Sequence, residues 1–192
     1  MATTAPALTL AERDQKAEAA IAGGLAAVVL MAFLPGPVSM IAWIGTVGFM
    51  TNGLAEAYGH YEARKDNLIE RVLSILLSGG TAWVLRIGGM ALLSGLLALT
   101  GIGYAGSVVI NLAVGLPLAY AVARGAQALY RGELSGELLT PGQVGEVVRH
   151  AYQAAQHTHM ADRVTNAPAS ASDAADQMRA AMQEAEQHHP DE

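Results

Sequence analysis

Residues 19–55 read AAIAGGLAAVVLMAFLPGPVSMIAWIGTVGFMTNGLA, and between the bounding Glu18 and Glu56 there is no Asp, Glu, Lys or Arg. At 37 residues the run is too long for one crossing, because a bilayer core about 30 Å thick takes roughly 20 helical residues. It breaks near its middle at Leu34-Pro35-Gly36-Pro37. Proline lacks the donor that continues a helix, and glycine turns the chain without a steric penalty. The stretch predicts a helical hairpin with Pro35, Gly36 and Pro37 at its tip. A second charge-free run, also of 37 residues, lies between Arg86 and Arg124 and breaks at Thr100-Gly101-Ile102-Gly103. Gly101 and Gly103 mark its tip. The expected fold class is therefore an all-α membrane protein of two hydrophobic helical hairpins, about four membrane segments, with a C-terminal cytoplasmic helix and a mobile acidic tail.

Composition agrees with that reading. Of the 192 residues 52% are hydrophobic and 15% charged, against roughly 25% charged in soluble domains. There are 21 glycines while aromatics make up 5%, a balance suited to the close backbone packing by which helices associate in lipid. With no cysteine, disulfides, thiolate zinc sites and cysteine nucleophiles are excluded. The net charge of -6 is concentrated in the tail, where Asp173, Asp176, Glu184, Glu186, Asp191 and Glu192 face Arg179 alone. No basic nucleic-acid patch exists, and no nucleic-acid partner is expected.

Four segments follow. Residues 1–18 hold the start of a surface helix, with Thr9 and Glu12 spaced as a capping box; this first helix should run from about Leu10 to Leu34, with an apolar part of 16 residues after Glu18. Residues 19–131 form the membrane domain, whose remaining helices are expected over about Val38 to Tyr58, Asn67 to Leu99 with a break near Gly79-Gly80 or Gly88-Gly89, and Ala105 to Tyr130. Residues 132–164 hold an amphipathic cytoplasmic helix, opened by Thr140-Pro141-Gly142-Gln143 as N-cap, proline at the first position and glutamine at the third. Its stripe of Val144, Val147, Val148 and Ala151 suits packing on the membrane surface or on a partner. Residues 165–192 are an acidic, low-complexity tail with little to bury. A cleaved signal peptide is disfavoured, since the segment before the apolar run is net negative and no small-x-small site follows it.

The basic residues Arg13, Lys16, Arg64, Lys65, Arg71, Arg124, Arg131, Arg149, Arg163 and Arg179 all fall before, between or after the hairpins. The positive-inside tendency places them, and both termini, in the cytoplasm of a bacterial inner membrane. The uncharged tips suit either a full crossing or a re-entrant turn.

Candidate sites are few. Gly101-Ile102-Gly103-Tyr104-Ala105-Gly106 matches GxGxxG, but a hydrophobic helix precedes it and no acid follows until Glu133, so a glycine-rich tip explains it better than dinucleotide binding. Arg86 is the only charge within the second hydrophobic half, and an intramembrane charge demands either snorkelling to an interface or a partner; Asn111 is the candidate partner. His150, His157 and His159 read as solvated surface histidines, because positions two apart diverge on a helix, and His188 and His189 belong to the tail. Ala19, Gly23 and Ala27, and Gly115, Ala119 and Ala123, form small-residue faces at i+4 spacing that suit packing within the chain or in a homo-oligomer. No Ser/His, paired-Asp or HExxH arrangement appears in the hairpins, so no catalytic residue, cofactor or metal is expected.

From Leu34 to about Leu139 the order of features resembles the YcjF-like bacterial membrane domain found fused to, or encoded beside, Era-like and dynamin-like GTPases. The resemblance is carried by Leu34-Pro35-Gly36-Pro37, by Met50 through Leu54-Ala55-Glu56-Ala57-Tyr58-Gly59, and by Leu68-Ile69 to Gly79-Gly80. Gly101-Ile102-Gly103 and Ala123-Arg124-Gly125 through Tyr130-Arg131-Gly132 complete it. This chain has Ser39 where the family pattern often has an acid, and Thr100 where it tends to have proline. The resemblance implies a membrane or partner module for a GTPase on another chain, since no GxxxxGK[ST] phosphate loop occurs here. The sequence thus points to a non-catalytic membrane anchor with lipid and a cytoplasmic protein as partners. The competing reading is a holin-like or small pore-forming protein.

Overall fold

A computed structural model of the chain describes residues 8–34, 36–60, 75, 108–109, 111–160 and 171–187. The elements among them are all helical: α1 (Leu10–Ala32), α2 (Gly36–Ala57), α3 (Leu116–Ser135), α4 (Pro141–His157) and α5 (Ala171–Gln187). Two stretches, Leu10–Ala32 and Asn111–Ser135, are long and apolar enough to cross a membrane by length and composition. Arg86, Pro35, Gly101 and Gly103, singled out from the sequence, lie outside the described residues.

Each helix starts or stops for a chemical reason. The capping box at the head of α1 is complete, with Thr9 Oγ1 accepting from the Glu12 amide and the Glu12 carboxylate accepting from the Thr9 amide at 2.8 Å. Thr140 and Gln143 repeat the arrangement at α4. The ends of α2, α3 and α4 share one closing geometry. A residue at positive φ (Gly59, Gly136 and His159) lets the next amide reach back five residues, as in His60 to Ala55, Glu137 to Gly132 and Met160 to Ala155.

The first hairpin turns slightly earlier than its sequence suggests. α1 stops at Ala32, Phe33 and Leu34 bond back to Leu30 and Met31, and Gly36 and Pro37 belong to α2 rather than to the tip. Proline in a first helical turn has no amide to waste there, which is why the pair opens a helix instead of forming the loop. Before α3 the chain makes a wide π turn over Asn111–Gly115, immediately ahead of Pro117, whose missing amide and bulky ring interrupt regular i to i−4 bonding. α3 then continues past the expected end at Tyr130 to Ser135.

α3 is the central helix. Leu116 to Ala123 are buried on every side, with α1, α2 and α4 packed around them. Glycines set the closest approaches: a Cβ on Gly24 would lie 2.5 Å from Met50 Sδ on α2, and one on Gly125 would lie 2.5 Å from Val148 Cγ2 on α4. The loop after α3 is short, and Val148 seats on Gly125 rather than beyond Ser135, so α4 runs back along α3.

That packing corrects two expectations. Val144, Val148 and Ala151, expected to pack on the membrane surface or on a partner, are buried in the core of this chain, and Val147 is half-buried. The stripe covers α3 itself, because the nearest large apolar surface is the adjoining helix. The acidic tail also finds something to bury: α5 packs on α1 and α4 with Met178, Ala181 and Met182 in the core, so its apolar positions at i, i+3 and i+4 make it an amphipathic helix despite its charge.

Candidate functional site: a polar clasp at one end of the helices

The first turns of α1, the end of α2, the second half of α3 and the end of α5 bring their charged residues together. Arg124 lies at the centre with a side chain 14% exposed. Its guanidinium donates to Glu18 on α1, to Glu186 on α5, to the Tyr120 hydroxyl at 3.0 Å and to Gln127 Oε1 at 2.7 Å. It also lies over the Tyr120 ring, 5.1 Å from the centroid, a favourable place for a cation on an aromatic face. One guanidinium thus holds two carboxylates from different helices, using the fork of donors that a lysine lacks.

The network continues towards α2. Gln127 Nε2 donates to Glu18 at 3.0 Å and to the Tyr58 hydroxyl at 3.4 Å. Tyr58 donates to Asp14 at 2.6 Å, and Arg131 closes on the other Asp14 oxygen at 3.3 Å. Burial, and then the bond to Asp14, push the Tyr58 phenol up to about 12, so it serves as a neutral donor and not as a base. Arg13 reaches the α2 carbonyl of Ala57 at 3.3 Å, a cation placed at the negative end of that helix. It lies where a side chain on Gly59 would sit, 3.0 Å from that position. His60 donates through Nε2 to the Tyr130 carbonyl at 3.0 Å, meets Glu133 at 3.3 Å through Nδ1 and stacks on the Tyr130 ring. A groove of about 390 Å³, lined in part by Asp14, Glu18, Arg124, Arg131, Val147 and Glu186, opens beside the cluster.

The Arg124 contacts tie the elements together, its guanidinium donating to acceptors on α1, α3 and α5. Among the described residues there is no group of three or more His, Asp or Glu side chains that could hold a metal ion. At the other end, Asn111 donates to the Ser39 hydroxyl at 3.3 Å and Trp43 Nε1 donates to the Gly115 carbonyl at 2.9 Å, so α2 is tied to the π turn by polar bonds that face inward.

The sequence suggests Arg86 as a partner for Asn111; Asn111 donates to Ser39, and Arg86 falls outside the described residues. Sequence reasoning missed the clasp. The signal was present in the charge map: Glu18 opens the first uncharged run and Arg124 closes the second, so opposite charges stand at the same end of two neighbouring helices. A comparison of the chain with protein-family models, with curated proteins and with solved structures found no match in any of the three.

Proposed function

We propose that the chain is a non-catalytic integral membrane protein of the bacterial inner membrane that anchors or engages a cytoplasmic protein, with a GTPase as the leading candidate. The observation that carries this reading is the segregation of charge. Arg13, Asp14, Glu18, Arg124, Arg131 and Glu133 gather at one end of the helices, and the uncharged runs lead away from them. An anchored module needs that division, with a lipid-compatible part and one wet end that presents polar groups to the cytoplasm. The GTPase is supported by the sequence resemblance alone. Because Val144, Val148 and Ala151 are taken up within the fold, the partner is assigned to the polar end and the exposed side of α4 rather than to that stripe.

The test is purification of the full-length protein from its native membrane in mild detergent after brief crosslinking, with mass spectrometry of what accompanies it. Stoichiometric recovery of a phosphate-loop GTPase is the expected result. Recovery of the chain alone, together with collapse of the membrane potential on moderate expression, would sink the anchor reading in favour of a holin-like pore.

A further inference from the structure

The described helices present two unlike flanks, divided by α3. α2 packs on α1 and α3, whereas α4 packs on α3 and α5. On α2, Val38, Ile41, Gly45 and Phe49 step along one stripe at helical spacing, and the three side chains on it are 53%, 73% and 78% exposed. No charge interrupts the chain between Glu18 and Glu56. Two polar hydrogens of α2 are satisfied within the protein, Thr51 donating to the Gly48 carbonyl at 2.8 Å and Trp43 to Gly115, so neither needs a partner on a lipid-facing side.

The exposed side of α4 has the opposite chemistry. Glu146 and Arg149 are 66% and 53% exposed and lie 3.8 Å apart, and His150, Gln153, Gln156 and His157 are exposed with them. Val148 on Gly125 holds this helix against Asn111–Ser135, which is apolar and long enough to span. A lipid ring around that stretch would put Glu146 and Arg149 in hydrocarbon, at a desolvation cost that one exposed ion pair does not recover.

We infer that the protein meets lipid acyl chains through one flank, the Val38–Ile41–Phe49 stripe of α2, while the outer face of α4 stays in water and screens α3 from the bilayer. The inference rests on the membrane reading above and specifies which face the membrane takes.

The chain contains no cysteine, so single-site labelling needs no prior substitution. Ile41→Cys, Phe49→Cys, Arg149→Cys and Gln153→Cys, all at exposed positions, would each be spin-labelled in the full-length protein and reconstituted into phosphatidylcholine/phosphatidylglycerol vesicles. Circular dichroism would confirm that each variant keeps the parent helix content. Collisions with molecular oxygen should dominate at positions 41 and 49, and collisions with a water-soluble nickel chelate at positions 149 and 153. Oxygen-dominated labels at all four positions would overturn the single-flank arrangement while leaving the membrane reading intact. Labels at 41 and 49 shielded from both reagents would mean that protein covers the stripe, either another segment of this chain or a second copy, and would overturn it as well. Nickel-dominated labels at all four, with protein that does not float with the vesicles, would overturn the membrane reading itself.

Discussion

Replacing Arg124 with leucine removes the donor for Glu18, Glu186, Gln127 and the Tyr120 hydroxyl together. Both carboxylates keep some contact with water, so the loss falls short of a fully buried broken pair. Arg124→Leu should lower stability by about 2 kcal/mol, the scale of hydrogen bonds to charged groups, read as a fall in melting temperature in detergent. Arg179→Ala is the contrast. Its bond to Asp176 joins side chains 60% and 68% exposed, and its loss should change stability by less than about 0.5 kcal/mol. Tyr58 carries a pH signature. Its phenol is raised in the folded chain from 10 to about 12, so the fold favours the neutral form. That contribution is complete below pH 10 and is lost as the pH rises through about 12. Wild-type protein should lose stability across that window, and Tyr58→Phe should flatten the alkaline arm of the profile; an unchanged slope in the variant would remove Tyr58 as its source.

At the scale of an element, neighbouring glycines of α1 have opposite roles. Gly23 has open space where a side chain would go, whereas Gly24 would press a Cβ against Met50, down to 2.8 Å from the Met50 Cβ. Gly23→Ala should be neutral or stabilise by up to about 1 kcal/mol through helix propensity. Gly24→Ala should destabilise by about 1 kcal/mol or more, since the contact includes the root of Met50 and not just its flexible end. Gly125→Ala should be worse, because it meets the branched and rotationally stiff Val148. Thermal denaturation of the three variants side by side decides the matter, and equal behaviour of Gly23 and Gly24 would contradict the α1–α2 contact. The difference also shows where sequence reading stops. The caps at Thr9 and Thr140 and the start of α4 at Pro141 were legible because capping is local, written within four residues. The Ala19–Gly23–Ala27 repeat was equally visible, yet Ala19 and Gly23 are exposed while Gly24 makes the contact. Spacing identifies faces, and it takes the neighbour to say which face is used.

Over the whole molecule, the charge map yielded the first pair of helices, since an uncharged run and its boundaries are properties of the chain alone. The destinations of α4 and α5 were hidden. An amphipathic helix announces that it has an apolar face without naming what covers it, and here α4 and α5 fold back on α3 and α1. Burial of Met178 and Met182, each worth roughly 1.5–3 kcal/mol when removed from water, helps to hold a tail whose composition alone suggests that it stays loose. The two-hairpin topology expected from the sequence predicts that reporters fused at Gly59, Gly132 and the C-terminus all read cytoplasm. A periplasmic signal at Gly59 would break it, because the end of α2 would then lie across the bilayer from the start of α1, to which Arg13 and Asp14 bind it.

The sharing of one guanidinium by two carboxylates also fixes an order in time. Glu18 and Arg124 are 106 residues apart, and Glu186 follows Arg124 by 62. The α1–α2 and α3–α4 pairs, by contrast, join neighbours in sequence and close quickly during synthesis, which proceeds from the N-terminus. Glu18 and Arg124 are both made before Glu186, so Glu18 is the first of the two carboxylates available to the guanidinium, and the last helix to be synthesised supplies the second seal at that end.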